Sequence, residues 1–101
     1  MASSKEFKNY VLEQFSLLPG ITARSMMGGY LFYNNGKLFG GIYDDRFLIK
    51  VTESGKKLLN DNQDIPYQGA KNMLLVEDLD DMEFLRELIL ITCKELPDIK
   101  K

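Results

Sequence analysis

Histidine and tryptophan are absent from this 101-residue chain, and there is one cysteine, Cys93. Without histidine the commonest general base and transition-metal ligand is missing, and with it the Ser-His-Asp and Cys-His arrangements. A lone cysteine excludes an internal disulfide, which suits a reducing compartment. No apolar run approaches the ~20 residues of a membrane span. The start, Met1-Ala2-Ser3-Ser4-Lys5-Glu6, lacks the apolar centre of a signal peptide. A cytoplasmic protein without membrane contact is expected. Positive charge is not in excess either: 13 basic and 15 acidic side chains leave a net charge of −2. Binding to polyanions draws much of its affinity from Lys and Arg on phosphates, so this balance does not favour nucleic acid.

What is present is ordinary globular material, 45% apolar and 28% charged, with no repeat or low-complexity linker. A single domain over 1–101 is the simplest reading. Ser3 and Glu6 have capping-box spacing. Phe7, Val11, Phe15 and Leu18 then recur at the helical period, which predicts a helix over 4–18 ended by Pro19-Gly20. Strand-prone runs follow at 21–27, 30–33, 37–43 and 47–51. Asn34-Asn35-Gly36 forms one hairpin turn and the Asp44-Asp45-Arg46 stretch another, so 21–51 reads as an antiparallel meander. Thr52 caps a short helix to about residue 60. Residues 61–69 read as loop with Tyr67 as an anchor, and 71–76 as one more strand. Asp80 and Glu83 repeat the capping box before a helix over 81–96, which Pro97 stops. The fold class is therefore α+β: two layers, with a twisted antiparallel sheet under helices.

No catalytic, cofactor-binding or metal-binding set emerges, and no enzyme is expected. Cys93 follows Ile89 by one helical turn on an apolar face and reads as a packed, inert thiol. The acids Glu77, Asp78, Asp80, Asp81, Glu83 and Glu87 lack the ligand order of a calcium loop and suit the positive end of a helix dipole. Gly28-Gly29 and Gly40-Gly41 belong to no phosphate-loop pattern. In strands such glycines mark bulges or close backbone approach.

If Asn35-Gly36 is a two-residue turn, Tyr30 faces Gly41 and Leu31 faces Gly40. Tyr30, Phe32, Phe39 and Tyr43 then share one sheet face, and Leu31, Tyr33, Leu38 and Ile42 the other. Carried through an Asp45-Arg46 turn, Leu48 and Lys50 join the aromatic face, and Ile49 and Val51 the aliphatic one. Both faces are apolar, whereas a lone antiparallel sheet normally has one polar face. The second face needs cover from the chain's own helices or from a partner. Tyr30, Phe32, Phe39 and Tyr43 are the candidate interface for a protein partner or a weak homodimer. The alternative is a small nucleic-acid-binding domain that stacks bases on this aromatic face beside Lys37, Arg46 and Lys50.

Residues Arg24-Ser25-Met26-Met27-Gly28-Gly29-Tyr30, Asn35-Gly36-Lys37-Leu38-Phe39-Gly40 and Asp45-Arg46-Phe47-Leu48-Ile49-Lys50-Val51 resemble the N-terminal domain of TfoX-type proteins. Arg24, Met26, Gly28, Gly29, Gly36, Phe39, Lys50 and Val51 match its pattern, while Met27 stands where the family has an aromatic. The order of elements agrees over about residues 5–96. The resemblance implies a two-layer α+β domain that regulates competence genes and DNA uptake through other proteins. It implies no catalytic residues, and it leaves Arg24 and Lys50 open as functional or structural charges.

Overall fold

The computed structural model describes residues 5–16, 18–26 and 29–96. Helix α1 spans Lys5–Gln14. Four strands follow: β1 (Ile21–Met26), β2 (Gly29–Asn34), β3 (Lys37–Tyr43) and β4 (Arg46–Ile49). Next come α2 (Glu53–Leu58), β5 (Gln63–Asp64), β6 (Met73–Val76) and α3 (Met82–Glu95). The six strands form one sheet in the order β1-β2-β3-β4-β6-β5, and every neighbouring pair is antiparallel. The expected α+β meander with a long closing helix is therefore the observed architecture.

Local chemistry explains most boundaries. Past α1 the backbone tightens into i→i−3 bonds, from Phe15 N to Leu12 O and from Leu18 N to Phe15 O, which carry Phe15 and Leu18 into the core. Helix α1 is thus shorter than the 4–18 expected, and its proposed cap, Ser3, lies outside the described residues, as do Met27, Gly28 and Pro97. Asn35 and Gly36 both have positive φ, 52° and 86°, as a tight I′ hairpin requires. The second hairpin turns at Asp44-Asp45, with φ 53° and 56°, and not at Asp45-Arg46. Asp tolerates the left-handed region better than Arg does, so Arg46 becomes a strand residue paired with Tyr43.

Thr52 caps α2 by accepting from Gly55 N at 3.0 Å. At α3 the cap is Asp81, which accepts from Phe84 N at 3.0 Å. Asp80, the expected cap, takes a hydrogen bond from the Tyr10 hydroxyl of α1. The segment expected as plain loop contains β5, two residues paired to β6.

One irregularity reorganises the sheet. Tyr33 pairs with Leu38, but Phe32 pairs with Gly40, so Phe39 is an extra residue, a β-bulge in β3. A bulge offsets the two-residue alternation by one position. Beyond it Ile42 turns to the face of Phe32, and Tyr43 turns to the opposite face. The faces expected for Ile42, Tyr43, Leu48, Lys50 and Ile49 are corrected accordingly. The inner face carries Phe32, Phe39, Ile42, Phe47, Ile49, Leu74 and Val76, all buried against Val11, Phe15, Leu85, Leu88 and Ile89 of the helical layer.

Four rings form its centre. Phe15 meets Phe32 edge-on at 5.4 Å and Phe47 at 5.6 Å, while Phe39 stacks on Phe32 at 6.3 Å. Gly40 and Gly41 fit because β3 runs close to its neighbours. A Cβ on Gly41 would lie 2.3 Å from Tyr30 O, and one on Gly40 2.4 Å from Leu48 O.

Phe32 and Phe39 are 0% exposed. Phe39→Ala is therefore expected to lower the unfolding free energy in a urea titration by about 3–5 kcal/mol, the usual range for a buried Phe. Tyr33→Ala, outside this cluster, should cost clearly less. Equal losses would contradict the inner-face assignment.

Candidate functional site

Among the described residues no helix lies on the outer face of the sheet. The register places Arg24, Leu31, Gly41, Leu48 and Leu75 in one row across it, with Tyr33, Leu38, Tyr43 and Arg46 alongside. Leu48 is nevertheless 0% exposed, and it does not belong to the helix-side cluster. On this side the segment after β5, residues 65–72, forms a strap that lines hollows with Leu38, Gly40 and Tyr43 of β3, Arg46 of β4 and Met73 of β6. Pro66 of the strap is buried, and the Tyr67 ring stands 6.2 Å from Tyr43.

Arg46 fastens the strap. Its guanidinium donates to the Asp64 carboxylate at 2.8 Å, to Ile65 O at 2.9 Å and to Pro66 O at 3.1 Å. A planar fork spreads its N–H donors over separate nitrogens and so reaches three acceptors at one strand end, where a lysine offers its three donors from a single nitrogen. The ion pair itself is partly exposed, so its direct worth is at most ~1 kcal/mol. Its main effect is to hold a short, otherwise polar segment against the sheet.

Two hollows open between strap and sheet, on either side of the Tyr43–Tyr67 pair. The first, of about 680 Å³, reaches Met26, Gly29 and the Asp44 turn. The second, of about 470 Å³, is bounded by Leu38, Val51, Met73 and the Lys50 and Lys71 side chains. Both volumes lie in the range of small-molecule sites, ~300–1,000 Å³. Burial pushes the Tyr43 phenol above its usual pKa, and the Tyr67 and Tyr33 phenols add to the shift. Tyr43 is therefore a neutral hydroxyl donor at physiological pH.

The candidate interface residues divide. Phe32 and Phe39 are core rings. Tyr30 is half-buried on the inner face under the Lys8 ammonium, 5.0 Å above its ring, and Tyr43 is half-buried on the outer face. The bulge separates the last two, which the unbroken alternation had put together. The family-pattern residues divide as well. Gly29 and Gly36 serve the backbone, since a Cβ on Gly29 would lie 2.4 Å from Ile42 O and Gly36 occupies the turn. Phe39 is core. Arg24 is exposed on the outer face, Met26 lines the first hollow and Lys50 the second. Gly28 lies outside the described residues.

Of the cations weighed for nucleic acid, Lys37 donates to Cys93 O at 2.9 Å and Leu96 O at 3.3 Å, at the negative end of α3, and Arg46 holds the strap. Lys50 alone of these three is exposed. Sequence reading undervalued the strap: Pro66-Tyr67 inside a polar stretch was its signal, but Lys71 and the anchoring role of Arg46 had none.

Cys93 is buried beside Asn34, whose side-chain amide points at the sulfur from 3.8 Å. Burial raises the thiol pKa, and the amide and Lys37 offset this in part. Among the described residues no group of three or more acidic, His or Cys side chains could hold a metal ion, and no helix is long and apolar enough to cross a membrane.

A family model for the TfoX N-terminal domain matches residues 13–87. An "Uncharacterized 12.7 kDa protein in trpE 5'region" of Spirochaeta aurantia is 28% identical over 100 residues, covering 96% of this chain and 86% of that one. No solved structure matches the chain.

Two outcomes are expected. Arg46→Ala should speed proteolytic cleavage within residues 65–72 by about tenfold or more, as a local opening does, while thermal unfolding shifts little. Unchanged cleavage would show that Arg46 does not hold the strap. Cys93 in the native protein should react with a disulfide thiol reagent at pH 8 at least about tenfold slower than in urea. Comparable rates would contradict its burial.

Proposed function

Because the chain belongs to the TfoX N-terminal domain family, a competence-related family, we propose that it is a non-enzymatic regulatory module that acts by holding another protein on its outer sheet face. The observation that carries this reading is the uncovered β1–β2 part of that face, around Arg24, Leu31 and Tyr33. Leu31 and Tyr33 are half-buried there, beside the exposed Arg24, with no helix among the described residues above them and neither of them lining a hollow under the strap. Apolar and aromatic side chains rimmed by a charge are the usual composition of an interface centre and its edge. The inner face offers no such surface, since its large side chains are already packed under α1, α2 and α3.

The chemistry supports binding over catalysis. The only thiol is buried with a raised pKa, and no histidine is available to activate a hydroxyl. A base-stacking role has weaker support. Phe32 and Phe39 lie in the core, and Lys37 and Arg46 are engaged with the chain's own carbonyls and carboxylate.

The reading predicts that a photo-crosslinker at Leu31 captures a discrete partner in the native cell, while one at the exposed Leu90 of α3 does not. The paired change Arg24→Glu with Tyr33→Ser should abolish that capture at unchanged circular dichroism. Capture from Leu90 alone, or capture indifferent to the paired change, would overturn the proposal. Salt-dependent binding of a single-stranded oligonucleotide by the free chain would favour the nucleic-acid reading instead.

A further inference from the structure

The second hollow has a donor set that the partner-binding reading does not use. Its floor and walls are Leu38, Val51, Met73 and the Tyr43–Tyr67 pair, and its rim carries Lys50 and Lys71. Among the described residues neither ammonium makes an ion pair, and neither Tyr43 nor Tyr67 directs its hydroxyl to a protein acceptor. Among the described residues no carboxylate lines this hollow, in contrast to the first, which holds Asp44 and Asp64. Two cations and two phenol donors around an apolar floor present an excess of donors to whatever enters. Such an environment penalises a cation, leaves a purely apolar guest without use for the rim, and complements an anion. The 59% exposure of Tyr67, held by one ring contact and the Arg46 anchor, leaves its ring free to close over a flat guest.

We propose that this hollow is a binding site for a small organic anion with a flat apolar body. The body lies against the Tyr43 and Tyr67 rings over Leu38, Val51 and Met73. The anionic group, a carboxylate or a phosphate monoester, is held by Lys50 and Lys71. The site would make the strap sensitive to a metabolite of that class. It is separate from the Leu31–Tyr33 surface, so either proposal can fail without the other.

The test is a nitrogen–proton correlation spectrum of the full chain titrated with 1-naphthoate. Three controls run at equal concentration: 1-naphthylmethylammonium for the body with the wrong charge, 1-naphthalenemethanol for the body without charge, and inorganic phosphate for the charge without body. Saturable shifts confined to amides around Tyr43, Lys50–Val51 and Tyr67–Met73 are expected with 1-naphthoate. Each control should be weaker by about tenfold or more, as should 1-naphthoate on the Lys50→Glu, Lys71→Glu double variant. Tyr67→Ala should weaken the interaction while leaving the shifts of the helical layer unchanged. Both lysines are exposed, so the variants should fold. If the charge reversal does not, the Lys50→Gln and Lys71→Gln single variants carry the same reading. Non-saturating shifts spread over the surface, equal binding of the cation, or full affinity in the lysine variants would overturn the proposal.

Discussion

The whole arrangement depends on a single residue of β3 that is extra relative to β2. Phe39 occupies the bulge, its ring stacked on Phe32 and near Phe15, and from that point the alternation of β3 is offset by one position. The offset sends Ile42 inward, and the Asp44-Asp45 turn then aligns Phe47 and Ile49 with it. The inner face becomes continuous from β2 to β6. Gly40, opposite Phe32, adds no side chain of its own where the extra ring must fit. An added Cβ there or at Gly41 would collide with backbone oxygens. Bulge, glycine pair and aromatic cluster thus meet at one place in β3, where the glycines let the backbone approach its neighbours closely.

The same offset creates the outer face. Tyr43 would otherwise lie with Tyr30 beneath the helices. Instead it faces outward and meets Tyr67. The strap that brings Tyr67 there is anchored through Arg46, whose place in β4 follows from the aspartate pair taking both turn positions. A core requirement and a surface feature therefore share one cause, and the hollows beside the tyrosine pair are by-products of where the bulge falls.

The helical layer leaves this outer face to other uses. Helices α1, α2 and α3 all stand on the inner side. They are tied to the sheet by Gly55 close against Leu74 and by Lys37 at the carboxyl end of α3, α2 is tied to α3 by Ser54 N on the Glu95 carboxylate, and α1 to the segment before α3 by Tyr10 on Asp80. The residues that resemble the family pattern fall on both sides of that divide. Gly29, Gly36 and Phe39 build the frame, and Arg24, Met26 and Lys50 look out from it.

Composition and local pattern by themselves determined the order of the three helices and the five longer strands, the two hairpins, the Thr52 cap, the buried Cys93 and the absence of a histidine-based site. Those features rest on interactions within a few residues, or on what side chains exist at all. The bulge was not legible, because an alternating pattern around Asn35-Gly36 reads equally well with or without one extra residue. Every face assignment beyond it inherited that ambiguity. The cap at Asp81, the pairing of β5 with β6, the strap and its Arg46 anchor each join residues distant in the chain or choose between adjacent, locally equivalent acids. Only tertiary packing made those choices. A ring fits the core at Phe39, a tyrosine hydroxyl claims Asp80, and the guanidinium at the start of β4 finds three acceptors at once where the chain leaves β5.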